Sequence, residues 1–197
     1  DLPDAYRDAP ALGDLNGDGA DDLVLGTWQG ALSYHENRGD GTFDAADGAL
    51  SDLSTGNNAV PTLGDVTGSG TPDLVVGTAS GTVTLYRNTG SEAAPNFASE
   101  GVTLAEVDGR AAPTLHDVTG DGRLDLLVGT DTGLLLLRNE GTADAPEFGP
   151  PTSIDLDGIP QNATPAVGDL SGTGAMDLVV GGTRGGLVLF QPPSATE

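Results

Sequence analysis

The sequence predicts an all-β protein: a β-propeller of four blades, each blade a four-stranded antiparallel sheet. Three observations carry that prediction. First, one segment recurs four times, as "APALGDLNGDGADDLVLGT" from Ala9, "VPTLGDVTGSGTPDLVVGT" from Val60, "APTLHDVTGDGRLDLLVGT" from Ala112 and "TPAVGDLSGTGAMDLVVGG" from Thr164. Pro10, Pro61, Pro113 and Pro165 keep spacings of 51, 52 and 52 residues, and Asp14, Asp65, Asp117 and Asp169 keep the same ones. Second, each unit divides into short strand-like runs separated by Gly, Asn and Pro. Third, no segment between these breakers sustains a helical period.

Each unit opens on a short Pro-led strand such as "PTLGDV", which ends at an Asp-rich bend. Proline suits an edge strand lining the axis, where no ladder needs its missing N–H. A compact Val/Leu run follows, as in "DLVVGT", and reads as a strand buried on both faces. After a turn ("WQG", "ASG", "DTG" or "TRG") comes an alternating strand such as "TVTLYRN". A Gly/Asn/Pro loop then leads to a weaker fourth strand, as in "GVTLAEV" or "TSIDLDG". Small residues in the first strand suit the crowded axis. Bulk further out, at Tyr34, Tyr86, Leu137 and Phe190, suits blades that fan apart, and Phe43, Phe97 and Phe148 plug the gaps between them.

The reading is one domain over residues 1–197, with repeats at 9–58, 59–110, 111–162 and 163–193. The last repeat stops at "GGLVLFQPPSATE" without a fourth strand. Either the four blades form a closed domain, with the N-terminal residues helping to close the last blade, or they are a piece of a longer propeller or array; closure is favoured because the second reading leaves raw blade edges exposed. No basic stretch and apolar run open the chain, so the expectation is a mature domain or a trimmed piece of a longer chain, and Asp1 need not be the native start.

The charge excludes several partners. The 197 residues carry 30 acidic side chains against seven Arg and no Lys, a formal net charge of -23. Nucleic acid and anionic membrane surfaces are repelled, and no apolar run is long enough to cross a bilayer. Cysteine is absent, so there is no disulfide, thiolate metal site or Cys nucleophile. Such a surface suits bound divalent cations, high-salt solvent, or both.

The pattern "P-x-L-x-D-V-T-G-D-G-x-x-D-L-L-V-G-T", followed by "G-L-L-L-L-R-N-x-G" and "P-x-F", resembles the FG-GAP/VCBS repeat family over nearly the whole chain. The resemblance implies an integrin-type propeller with calcium in the bend joining the first two strands of a blade. It also implies an extracellular protein: an adhesion module, a lectin or an accessory region of a secreted enzyme. Family propellers commonly have more than four blades.

The bends themselves point the same way. Counting from Asp14, the residues Asp14, Asn16, Asp18 and Asp22 take positions 1, 3, 5 and 9, with the Ala20 carbonyl at position 7. Alternate spacing turns oxygens toward one centre. Calcium takes six to eight hard oxygen ligands in irregular geometry, whereas magnesium demands a tighter octahedron and transition metals favour His or Cys. Leu25 stands where an EF-hand has its bidentate Glu, so the expected affinity is on the order of 10⁻⁴–10⁻³ M. The third bend keeps Asp117, Thr119, Asp121 and Asp125, with the Arg123 carbonyl at position 7. The second offers Asp65, Thr67, Ser69 and Asp73, and the fourth Asp169, Ser171, Thr173 and Asp177. With fewer carboxylates these two attract calcium more weakly, and their alternative is a hairpin whose carboxylates bond backbone N–H groups. Any metal here is structural: its binding free energy adds to folding.

Other signals are local. Arg38-Gly39-Asp40 reads as a turn rather than an adhesive tripeptide, since "N-x-G" recurs at Asn88 and Asn139. Asn162 opens a glycosylation sequon. His35 and His116 are isolated, His35 stands where Tyr86 stands in the next unit and so reads as a packing residue, and no Ser-His-Asp set is visible. Trp28 is the one tryptophan, a blade-edge residue or a sugar platform. The expected function is therefore a non-enzymatic, extracellular, calcium-binding propeller serving binding, adhesion or assembly, with a protein or carbohydrate ligand and room for self-association. The rivals are a carbohydrate-binding accessory domain of a secreted polysaccharide-degrading enzyme and a self-polymerising subunit.

Overall fold

A computed structural model describes residues 8–46, 48–91, 93–142 and 144–191. All its regular elements are strands, in four antiparallel sheets arranged as a four-bladed β-propeller. Blade one holds β1 (Ala9–Gly13), β2 (Asp22–Gly26), β3 (Leu32–Asn37) and β4 (Phe43–Ala46). Blade two holds β5 (Val60–Gly64), β6 (Asp73–Gly77), β7 (Thr82–Tyr86) and β8 (Val102–Glu106). Blade three holds β9 (Ala112–His116), β10 (Asp125–Gly129), β11 (Leu134–Leu137) and β12 (Thr152–Ile154). Blade four holds β13 (Thr164–Gly168), β14 (Asp177–Gly181) and β15 (Leu187–Phe190), so it is three-stranded among the described residues. The expected closure of this blade by the N-terminal segment falls on residues 1–7, outside the described residues.

The "DLVVG"-type runs become the second strand of each blade, and in β2, β6 and β10 all five residues are buried. Alternation explains this, because successive side chains enter opposite faces of the sheet. Leu74 and Val76 pack toward blade one, with Leu15, Val24 and Tyr34, while Val75 packs toward blade three, with Leu126, Val128 and Leu137. A third seam joins blades three and four around Leu134, Ala163 and Val180. The core thus lies between the blades.

Each seam repeats one design. The N–H groups of Ala59, Ala111 and Ala163 donate to the carbonyls of Thr27, Thr78 and Thr130 in the preceding blade, at 3.0, 2.9 and 3.0 Å. The glycine ending the second strand lies directly against the next blade. A Cβ on Gly26 would come within 2.8 Å of the Pro61 ring, and one on Gly77 within 2.4 Å of the Pro113 ring. The recurrent proline is therefore a seam residue as well as an edge residue.

The repeat alignment holds in the pairing: the register places His35, Tyr86, Leu137 and Phe190 at equivalent points, opposite Leu23, Leu74, Leu126 and Leu178. Tyr34 sits one residue earlier, opposite Val24, and so faces the other side of its sheet. Burial lowers the pKa of His35 beside it. Phe97 and Phe148 pack in the seams as expected, Phe97 between blades one and two and Phe148 against the seam of blades two and three, while bridging Asn88 and Asn139 ahead of β8 and β12. Phe43 differs in position, since it begins β4 itself. The short turn after β3 lets blade one start its fourth strand early.

Candidate metal centre

The four bends between first and second strands share one backbone shape. Two glycines in each, such as Gly17 and Gly19, take φ of 74° and 86°, a left-handed conformation that disfavours side chains. Chain reversal turns successive N–H groups inward, and the first aspartate accepts from them. Asp14 accepts from Gly17 N–H at 2.7 Å and Gly19 N–H at 2.9 Å. Asp65 accepts from Ser69 and Gly70, Asp117 from Gly120, Asp121 and Gly122, and Asp169 from Thr173 and Gly174. The Gly122 N–H holds the Asp117 carboxyl below its usual range, and the Gly174 N–H does the same for Asp169. Both carboxyls support their bends fully above the ordinary carboxylate pKa, and that support is lost as pH falls through the lowered values.

The middle positions continue this pattern. In bend one, Asn16 Oδ1 accepts from Asp18 N–H at 3.0 Å, and Asp18 Oδ1 accepts from Ala20 N–H at 2.8 Å. In bend three, Arg123 donates to Asp121 Oδ2 at 2.5 Å and to the Asn139 carbonyl at 3.0 Å. Bend three thus carries its own cation, which its count of carboxylates does not reveal. Bend one has none. In bend two, Thr67 turns inward onto Asp73, and Ser69 stays by the bend near Thr71. In bend four, Ser171 and Thr173 pair with each other at 2.9 Å.

The ninth-position aspartates are different. Asp22, Asp73 and Asp125 are fully buried, and Asp177 nearly so. One carboxylate oxygen accepts from the start of the bend: Asp22 from Leu15 N–H at 3.1 Å, Asp73 from Val66 N–H at 3.1 Å, Asp125 from Val118 N–H at 3.0 Å and Asp177 from Leu170 N–H at 2.9 Å. In the first three blades the other oxygen accepts from the last residue of the third strand or from the chain just beyond it. The donors are Asn37, Asn88 and Asn139 N–H, at 2.9, 2.8 and 2.8 Å. In blade four Gln191 Nε2 takes that place at 3.3 Å. Tyr34 adds its hydroxyl to Asp22 at 2.9 Å, and burial together with that carboxylate raises its pKa. The asparagines were read from sequence only as turn residues. Their recurrence at nearly the same offset from the aspartate, 15, 15 and 14 residues, was the available signal.

These placements bear on a metal ion. The donors on the bend are hard oxygens only, and most accept a single N–H, leaving lone pairs free. That chemistry fits calcium at Asp14, Asn16, Asp18 and the Ala20 carbonyl, with Asp22 anchoring the bend beneath. Among the described residues, no three His, Cys, Asp or Glu side chains already converge as a metal cluster.

A second concave surface lies on the propeller axis, a cavity of about 740 Å³ bordered by Trp28, Asn58, Arg110, Asp131, Asn162 and Thr183. Arg110 links blades there: one guanidinium nitrogen donates to the carbonyls of Asn162 and Ala163 and to Thr164 Oγ1, at 2.9, 2.7 and 2.8 Å. Asn162, the sequon residue, lies at this mouth. Away from it, Arg38 pairs with Asp44, and Asp40 accepts from Thr42 N–H and Oγ1, so the Arg-Gly-Asp segment forms a self-bonded turn.

Comparison with known proteins places this architecture. No curated protein matches the chain. A solved structure of an Agrocybe aegerita lectin, described by its specific recognition of non-reducing terminal N-acetylglucosamine, shares the fold at 23% identity and a TM-score of 0.55. The match covers 95% of this chain and 50% of the lectin chain, so the chain spans half that length. The model of the FG-GAP-like repeat matches residues 14–76, 65–128 and 117–180, overlapping spans that each run from one Asp bend into the next blade. The chain belongs to the FG-GAP-like repeat family.

Proposed function

We propose that the chain is a non-catalytic binding module that works outside the cell and is stabilised by calcium held at bend one, and at bend three once Arg123 swings off Asp121. The observation that carries this reading is the exposed, oxygen-lined bend Asp14–Asn16–Asp18, which has no cation of its own in a chain of net charge -23. Calcium there would stiffen the turn whose base is Asp22, and so the start of the first seam at Leu15. Bends two and four, with hydroxyls in place of the middle carboxylates, are the weaker sites.

Thermal melting tests the reading. With a dissociation constant of about 10⁻⁴–10⁻³ M, 10 mM calcium adds roughly 1.4–2.7 kcal/mol. For a chain of this size that raises Tm by roughly 3–10 °C. Magnesium should give less, and Asp18→Ala should remove most of the bend-one effect. Equal melting in calcium and in chelator would defeat the reading.

A carbohydrate is the favoured ligand, at the axial cavity. Trp28 supports this, being 44% exposed on the rim of a cavity with amide, guanidinium and carboxylate groups, a combination suited to sugar rings and hydroxyls. The lectin likeness agrees with it. On a glycan array, Trp28→Ala should abolish binding while leaving Tm within about 2 °C. Binding that survives the substitution would move the ligand elsewhere. The same site would serve an accessory domain of a polysaccharide-degrading enzyme.

A further inference from the structure

The sequence holds a single Asn-Gly step, Asn16-Gly17, and it lies in bend one. An asparagine loses its side-chain amide when the next backbone nitrogen attacks its Cγ and closes a succinimide ring. A glycine in the next position offers that nitrogen without a Cβ in the way. Bend one places the groups this step needs around the reacting atoms. Asp14 Oδ1 accepts from Gly17 N–H, the attacking nitrogen, at 2.7 Å. That is the short distance of a bond to a charged acceptor, and it lies within reach of a general base. Asn16 Oδ1, the oxygen on which negative charge develops, accepts from Asp18 N–H at 3.0 Å. Asn16 Nδ2, the leaving nitrogen, donates to Asp18 Oδ2 at 3.1 Å, which fixes the orientation of the amide. Gly17 and Asp18 are exposed, so water reaches the bend.

The other asparagines are held differently. The N–H groups that follow Asn37, Asn57, Asn58, Asn88, Asn139 and Asn162 donate to backbone carbonyls, which are not bases, and belong to residues with side chains. Asp18 and Asp121 repeat the geometry of Asn16. Gly19 and Gly122 N–H donate to Asp14 and Asp117 at 2.9 and 2.7 Å, but a carboxylate has no amide to lose.

We propose that Asn16 is a site of self-modification, deamidated by the Gly17 backbone nitrogen with Asp14 as the base. The nitrogen gives its proton to the Asp14 carboxylate and bonds to Asn16 Cγ. The Cγ–Nδ2 bond then breaks, and the proton, returned through water, leaves with the nitrogen as ammonia. Water opens the succinimide at either carbonyl, giving aspartate or isoaspartate at position 16. Nothing is oxidised or reduced. Both products add a negative charge to bend one, and isoaspartate lengthens the main chain by a methylene, which breaks the alternate spacing of the bend. Bends two, three and four, with Thr67, Thr119 and Ser171 at that position, do not age in this way.

The test follows freshly prepared intact chain, incubated in chelator near neutral pH and well below its melting temperature. Mass spectrometric peptide mapping scores conversion at position 16, with isoaspartate scored separately. The same chain in urea is the reference, since it keeps the sequence neighbours and loses the bend. The folded chain should convert about tenfold or more faster than the chain in urea. Asp14→Asn, which keeps an acceptor and removes the base, should bring the folded rate down to the urea rate, with the fold checked by circular dichroism. A folded rate equal to or below the urea rate would overturn the proposal, as would an acceleration that Asp14→Asn leaves intact. The two rates of the unsubstituted chain decide the matter even where Asp14→Asn unfolds. No calcium is present in the incubation, so a negative result leaves the calcium reading standing.

Discussion

Asp73→Ala is expected to remove about 4 kcal/mol or more of stability, a large part of the roughly 5–15 kcal/mol available to a protein of this kind. The Asp73 carboxylate is fully buried and accepts from Val66 N–H, Thr67 N–H, Thr67 Oγ1 and Asn88 N–H. Alanine leaves two backbone donors, the Thr67 and Asn88 N–H groups, without acceptors, each costing about 1–3 kcal/mol, while Val66 N–H keeps only the Gly64 carbonyl at 2.9 Å. It also unties the bend from the end of β7, so the second and third strands of the blade lose their common anchor. Asp65→Ala, on the exposed bend of the same blade, removes only solvent-accessible bonds and should cost about 1 kcal/mol. Urea unfolding followed by circular dichroism separates the two. Equal losses would refute the anchoring role of the ninth-position aspartate.

Gly129→Ala is expected to cost roughly 3 kcal/mol or more, and Gly181→Ala less than about 0.5 kcal/mol. These glycines hold the same position in consecutive blades. A Cβ on Gly129 would stand 2.2 Å from the Ala163 carbonyl oxygen and 2.7 Å from the Pro165 ring. Neither is a flexible side-chain end, so blade four would have to move outward, opening the seam around Ala163 and Val180. On Gly181 the nearest atoms are Leu187 Cδ2 at 3.7 Å and Thr164 O at 3.9 Å, ordinary contacts. Tm values at low protein concentration give the comparison directly.

Much of the fold was legible because its determinants are local and repeated. The Pro-led strand, the apolar run after the bend and the alternating third strand each bear a period or a breaker that sequence displays. The seams were not legible. Nothing in "DLVVG" states that Val75 and Val76 enter different cores, and nothing in Pro61 or Gly26 states that they touch. The bends show the same division. Their glycines and first aspartates were readable from spacing. The burial of Asp22, Asp73, Asp125 and Asp177 was not, because an aspartate in an acidic loop looks alike whether it faces solvent or accepts from the core. The Arg123 side chain escaped notice for a related reason: its backbone position suggested a carbonyl ligand, while its guanidinium instead sits on Asp121.

The most direct measurement of the central claim is a calorimetric calcium titration of the intact chain beside Asp14→Ala and Asp18→Ala. The account predicts saturable binding in the roughly 0.1–1 mM range, weakened strongly by either substitution, with magnesium a poor competitor. A flat titration, or a binding curve that both substitutions leave unchanged, would contradict it.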